Sequence, residues 1–477
     1  MAFRYRCARP LKILSDAQIR EIHQATLRVL QEVGVRFADS RTLAFLADHG
    51  CQVDPLGQIV RFPAGLVEHC LQQHPPEFRL RARNPQYDIV FDAHSVHFAA
   101  CSGMEVLDLE TLERRPGTLG DAEQAARLCD ALDNMAGANT GLGHIADKPA
   151  EVNLEWLYAT AIRNSEKVTS VAVMNDSERW GLKMARVAGE DIIVVPSSSS
   201  PLGWSAEQIR GMERALAADM PVGAQSMASP GVTAPATLVG TAVVMNAEIL
   251  AMVALVQLLK PGTGMMVSCF TIPLDMRTTT LASGSIELGM LTAISAQLSK
   301  LYGMGSMVFL PMSDSKLLDQ QAGFEKAMQW LLAGASGINL IWGAGMVEGH
   351  ALWSNAQLVI DAEMCGMVGR YVEGVGVSDE ALALDVVREV GHFPHSYLDT
   401  DHTYTWWRGE RYLPLVSSRE VYDVWAEMGR KDIVVRAAEK AEALLREHRP
   451  VPLDEDADRA IDGLLQAAAR EKGVLPY

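Results

Sequence analysis

Short apolar runs alternate with longer stretches of helical periodicity between residues 135 and 342, and few folds accommodate that pattern. The runs fall at 135–142, 168–174, 192–196, 222–227, 265–272, 307–312 and 338–342. Between them, 154–163, 177–188, 205–218, 237–259 and 285–301 place apolar residues at helical spacing. Parallel strands require crossover connections, usually helices, so the alternation predicts parallel βα repeats. Seven such strands, joined by an eighth near Val96 or Val387, predict an α/β chain built on a (β/α)8 TIM-type barrel, with a doubly wound open sheet as the alternative. No GxGxxG opens a helix after a strand and no GxxxxGK[ST] occurs, so nucleotide chemistry has no evident seat.

The repeats occupy residues 96–416. Residues 1–95 read as an accessory α+β region: a helix over 15–33 capped by Ser15 or Asp16, a second over 40–49, then short strands at 59–62, 78–83 and 89–91. A β-ribbon or irregular entry over 97–116 precedes a helix capped by Thr118 or Asp121. From Ser417 the pattern turns amphipathic and charge-rich, which predicts a C-terminal helical extension over 417–477, suited to a subunit contact in a homo-oligomer.

With 42 Lys and Arg against 59 Asp and Glu, the formal charge is −17, which excludes the basic footprint that nucleic-acid phosphates demand. Cys7, Cys51, Cys70, Cys101, Cys129, Cys269 and Cys365 are odd in number and lack paired spacing, so they form no disulfide framework or zinc ribbon. The basic start lacks the apolar core of a secretory signal. The apolar stretch 249–259, broken by Gln257 and bounded by Glu248 and Lys260, reads as too short to span a bilayer. A cytoplasmic location is the expectation.

In parallel barrels function sits at the C-terminal ends of strands. Residues 302–345 form a βαβ unit in which Ser313, Asp314, Ser315 and Lys316 follow one apolar run and Trp342 ends the next, which places them on a common rim. The plainer reading makes Ser313 or Asp314 the N-cap of the following helix. Phe270 ends another run. In a chain with only 6% aromatics, Tyr404, Trp406, Trp407 and Tyr412 crowd into nine residues. Aromatic faces attract quaternary ammonium groups, although such rings also serve as plugs. His392, His395 and His402 are the tightest histidine cluster, with Asp399, Asp401 and Glu410 nearby, and allow a metal reading as well as a hydrogen-bonding one. No serine occupies a GxSxG elbow.

An ordered set of short motifs resembles the trimethylamine methyltransferase superfamily: TAPATL at 233–238, NAEIL at 246–250, PGT at 261–263, DM at 275–276, then YG, SDSK, D, QAG and EKA within 302–327. GHF at 391–393, HT at 402–403 and the following WRGERYLP resemble its C-terminal signature. GMGSMVFLP is bulkier than the family's usual segment, and Ser417-Ser418 also departs from it. The resemblance implies an enzyme that moves a methyl group from a methylamine to the cobalt of a corrinoid (cobalamin) carried by a partner protein. Members acting on trimethylamine carry pyrrolysine, whereas this chain has ordinary residues throughout, which implies the non-pyrrolysine branch similar to glycine betaine:corrinoid methyltransferases. A quaternary amine already carries its charge and leaves neutral, so alignment and exclusion of water suffice and no bound metal or nucleotide is expected. On this reading Phe270, Trp342, Trp406 and Trp407 form the cage, with at least one of the last two facing the substrate. Lys316, His392 and His402 hold a carboxylate and Ser313 is a further substrate-binding residue, while Asp314 and Glu410 attract the cation or fix the donors. The alternatives are a betaine-binding protein without methyl transfer and a metal-dependent barrel hydrolase using the histidine cluster.

Overall fold

The computed structural model describes residues 4–474. Its main sheet comprises β1 Tyr5–Arg6, β2 Ser95–Ala100, β3 Thr169–Val171, β4 Ile192–Val194, β5 Val222–Ser226, β6 Met265–Cys269, β7 Gly305–Val308 and β8 Leu340–Ala344. The strand order is β1-β2-β8-β7-β6-β5-β4-β3, and every pairing is parallel except that of β1 with β2. Both faces are covered, so strands such as β4 (Ile192, Ile193, Val194) are continuously apolar. The fold is therefore α/β, with a curled parallel sheet. The run over 135–142 forms no ladder strand; it makes isolated parallel bridges, Gly137 to Ala99 on β2 and to Val168 just before β3, and Leu142 to Gly103. Backbone bonds from Ala136 to Phe98 (2.7 Å) and from Ala138 to Val168 (3.0 Å) flank those bridges. Val96 lies on a strand as one reading expected, whereas Val387 sits in a short helix, Leu384–Val390.

The crossover helices start from the predicted signals. Ser15 caps Asp16–Arg28 (α1) in a reciprocal box with Gln18, and Thr118 caps Leu119–Ala131 with Asp121 returning the bond. The cap expected at Ser313 or Asp314 is instead Asp319, whose carboxylate accepts from the Ala322 amide at the start of Gln320–Ala335. Ser313 and Asp314 have other partners, so the helix begins one loop later. The apolar stretch 249–259 belongs to a 22-residue helix, Leu238–Leu259, long and apolar enough by length and composition to cross a membrane. Most of it is buried, packed against α1, Ala64–Gln72, β5 and Ile286–Tyr302, so its apolar surface faces the core from every side. C-terminal helices Ile433–Glu447 and Glu455–Glu471 pack on the outer helical layer.

The end of β8 is fixed by one buried ion pair. Lys326 Nζ lies 2.7 Å from Asp361 Oδ2, with both side chains fully buried. The same ammonium donates to the carbonyls of Met346 (2.6 Å) and Gly343 (3.3 Å), while Asp361 accepts from the Gly345 amide (2.8 Å) and the Trp330 indole (3.3 Å). Two glycines make this turn possible. A Cβ on Gly343 would fall 2.0 Å from the Leu310 carbonyl carbon, and Gly345, at φ +94°, would place one 2.0 Å from the Trp353 ring. Removing one partner of such a pair strands a buried charge, so Asp361→Asn is expected to lower unfolding free energy by about 3–5 kcal/mol. The paired change Lys326→Met with Asp361→Leu is expected to cost less; denaturant titration of both variants checks this.

Candidate functional site at the C-terminal edge of the sheet

Four rings gather where β2, β6, β7 and β8 end. Phe270, one residue past β6, stands 6.4 Å centroid to centroid from Phe309, one residue past β7, at an interplanar angle of 78°. Phe309 is 6.4 Å from Trp342 on β8, and His350 closes the group 5.2 Å from Phe270. Adjacent parallel strands put their first loop residues side by side, which is why residues forty apart in sequence meet. Trp342 is fully buried, its ring against the Gly137 backbone and Ala99, where a Cβ on Gly137 would approach it to 3.3 Å. It lies beneath Phe309 rather than on an open rim. Its indole N–H is buried without a hydrogen-bond partner.

His350 is the residue that sequence reasoning missed. It sits in the turn before the two-residue strand Leu352–Trp353, with Nδ1 3.3 Å from the Ser102 carbonyl and 3.8 Å from Cys101 Sγ. A carbonyl only accepts, so the closer contact assigns the proton to Nδ1 and leaves Nε2 as an acceptor. That Nε2 is buried and unpaired. Burial pushes the imidazole pKa below its ordinary value, with the Lys326 charge adding to the effect, so His350 is neutral near pH 7. The signal available in the sequence was only a histidine a few residues past a strand end. Beside the rings, Ser102, Asn139, Thr140, Tyr158, Ser170 and Ala172 line a small cavity of about 100 Å³. Met104 and Met174, following β2 and β3, are exposed.

The two cysteines at the edge are not held as thiolates. Burial pushes the Cys101 thiol up to about 12, and Cys269 is raised for the same reason. Glu248 is buried behind the edge, accepting from the hydroxyls of Ser198 (2.6 Å), Ser200 (2.8 Å) and Ser226 (2.6 Å) and from the Leu202 amide (2.7 Å). Three of these hydroxyls and the carboxylate thus satisfy one another and shape the loops after β4 and β5.

Of the residues singled out from sequence, Phe270 and Trp342 belong to the ring group. Ser313 is buried and donates to Glu325 (2.7 Å), and Asp314 accepts from the Ser283 (2.8 Å) and Gly284 (3.0 Å) amides, tying two loops together. Lys316 is exposed and donates to the Asp314 carbonyl (2.7 Å). His392, His402, Trp406, Trp407 and Glu410 lie apart, on a surface segment. His402 stacks on Trp406 (5.6 Å, 14°), Arg408 covers Trp407 (4.9 Å), and Glu410 pairs with Arg370 (3.2 Å). Among the described residues no hydrogen bond, ion pair or ring contact joins them to Phe270 or Trp342. Nor, among the described residues, do three or more His, Cys, Asp or Glu side chains gather as a metal site.

Comparison with known proteins agrees with the motif order. The family model for trimethylamine methyltransferase matches residues 2–473. The trimethylamine methyltransferase MttB of Desulfitobacterium hafniense (strain DSM 10664 / DCB-2) is 32% identical over 96% of this chain and 94% of its own. The glycine betaine methyltransferase of Desulfitobacterium hafniense (strain Y51) is 30% identical over 97% of this chain and 98% of its own. The solved monomethylamine methyltransferase MtmB of Methanosarcina barkeri is similar at 12% identity and a TM-score of 0.47, over 98% of this chain and 96% of that one. With its whole length matched by one family model, the chain belongs to the trimethylamine methyltransferase family and is a methyltransferase.

Proposed function

We propose that this methyltransferase takes a methyl group from a quaternary amine, glycine betaine or a related betaine, and passes it to a corrinoid on a separate protein. The observation that carries the reading is the uncharged ring group, Phe270, Phe309, Trp342 and His350, at the strand ends of a chain whose relatives are trimethylamine and glycine betaine methyltransferases. The architecture suits it as a (β/α)8 barrel in which the segment around Gly137 completes the ring of strands; the parallel bridges to Ala99 and Val168 support that closure. On the same reading residues 1–95 are accessory, 96–416 the barrel and 417–477 a helical extension.

The site's own chemistry is consistent with an external acceptor. Cys101, beside the ring group, is held as a thiol rather than a thiolate, so it competes poorly for the methyl group. A corrinoid, when bound, supplies the nucleophile; the residues here hold and orient the donor and keep water away. Aromatic faces attract a fixed positive charge without forming a directed bond, and a neutral imidazole adds a face without adding repulsion. The unpaired Trp342 indole N–H is a donor for a carboxylate or other oxygen on the substrate. Because the leaving amine departs uncharged, alignment of nitrogen, methyl and acceptor carries the catalysis.

A reconstituted reaction with glycine betaine, reduced cobalamin and a corrinoid protein is expected to form methylcobalamin, read by its absorbance. No turnover with any quaternary amine, alongside turnover with another donor class, would overturn the reading. Saturable betaine binding in calorimetry without any transfer would instead favour a binding protein.

Two further outcomes follow from the rings. Phe270→Leu is expected to weaken binding of a quaternary amine by ~0.5–2 kcal/mol while barely changing that of an uncharged isostere. His350 has a folded-state pKa below its unfolded value near ~6.5. The unfolded chain therefore binds the extra proton first, and stability falls as pH drops below that value until the folded pKa is reached. Protonation also puts a cation among the rings. Betaine affinity is thus expected to decline with acidification in the native enzyme, and His350→Phe is expected to flatten that decline in calorimetry run across pH.

A further inference from the structure

From Glu373 to Leu415 not one residue is buried, yet the segment forms the helices Asp379–Leu382, Leu384–Val390 and Asp401–Glu410. Its composition is not that of a solvated loop. Phe393 is 95% exposed, Leu398 84%, Tyr404 81%, and Val375 and Val377 81% each. Ordering a chain costs roughly 1–2 kcal/mol per residue in backbone entropy, which apolar burial must offset, and here the chain's own body offers little beyond the half-buried Tyr412 ring against Gly366. Both ends of the segment are tied to one helix. Arg370 donates to the Gly374 carbonyl (2.6 Å) and pairs with Glu410 (3.2 Å), while Glu363 accepts from the Leu415 and Val416 amides. The segment is therefore an arm that leaves the C-terminal end of Asn355–Glu373 (hereafter α10) and returns along its second half, from Arg370 to Glu363 at its middle.

That end lies away from the ring group. α10 follows β8 and runs back along it; its 19 residues cover about 28 Å at 1.5 Å per residue. The arm, with His392, His402, Trp406 and Trp407, thus starts at the far face of its own sheet.

A matching uncovered surface lies elsewhere on the same chain. Ile286 and Met290 on Ile286–Tyr302, and Phe324, Met328 and Leu331 on Gln320–Ala335, are exposed at helical spacing on two helices that pack against each other. Most of these residues fall in the first half of their helices, and those halves follow the C-terminal ends of β6 and β7, beside the ring group. Large aromatic side chains bury ~150–250 Å² each, so the arm and this stripe together present on the order of 1,000 Å² of apolar surface, the scale of a specific interface. An arm without a core and a stripe without a cover on one chain satisfy each other when two copies associate reciprocally.

We propose that the arm over residues 373–415 docks on the stripe formed by Ile286, Met290, Phe324, Met328 and Leu331 of a second copy of this chain, so that the neighbour's histidines and tryptophans wall each ring group. The last clause rests on the ring group being the substrate site; the docking itself does not.

The test uses the full chain. Analytical ultracentrifugation is expected to find a dimer or a larger even-numbered assembly, and Phe324→Glu, at a side chain already 61% exposed, is expected to shift it to monomer with unchanged circular dichroism. All seven native cysteines are buried, so Phe393→Cys offers a unique reactive thiol for a benzophenone photo-crosslinker. A product of doubled mass, joined within residues 281–332, is expected. A monomeric native protein, a crosslink at monomer mass, or a doubled product joined elsewhere would each overturn the proposal. An intact assembly lacking methyl transfer would count against the proposed reaction and leave the docking standing.

Discussion

The ion pair between Lys326 and Asp361 sets the position of everything at the end of β8. A buried charge pair contributes little net stability compared with apolar packing of the same volume, because desolvation offsets most of the attraction. Its worth here is geometric. Five polar groups converge on it: the carbonyls of Gly343 and Met346, the amide of Gly345, the Trp330 indole and the Gln357 amide. With the turn held, Trp342 beneath Phe309 and His350 beyond it have little freedom. The motif letters EKA and GAG are thus two halves of one device: a cation on the helix and glycines thin enough to let the turn reach it.

The ring group achieves its chemistry by withholding charge. Burial keeps Cys101 protonated and His350 unprotonated, so a thiol and an imidazole that elsewhere make a reactive couple are both neutral. That neutrality suits a donor whose activation is already complete. It also separates the roles of the two carboxylates nearby: Glu248 is saturated by serine hydroxyls and Asp314 by backbone amides, so each shapes loops rather than meeting a ligand.

The parallel βα rhythm was legible because strands buried on both faces must be apolar along their length, and the same apolar runs located Phe270 and Trp342 at strand ends. The segment 135–142 was overread: its apolar residues are buried, but it makes only isolated bridges at Gly137 and Leu142. His350 escaped because nothing in a lone histidine marks it; only the fold brings it against Phe270. Trp406 and Trp407 were drawn into the same pocket by composition alone. Sequence gives the identity of an aromatic cluster but not which end of a helix it hangs from, and here α10 separates it from the ring group of its own chain.

Leu238–Leu259 carries a consequence for synthesis. A segment of this length and apolarity, emerging naked from a ribosome, is what targeting factors and insertion machinery recognise as membrane-bound. Of the elements that cover it, α1, Ala64–Gln72 and β5 precede it in the chain, while β6 and Ile286–Tyr302 follow. The chain order therefore lays down α1, Ala64–Gln72 and β5, a large part of the sheath, before the segment that they must hide.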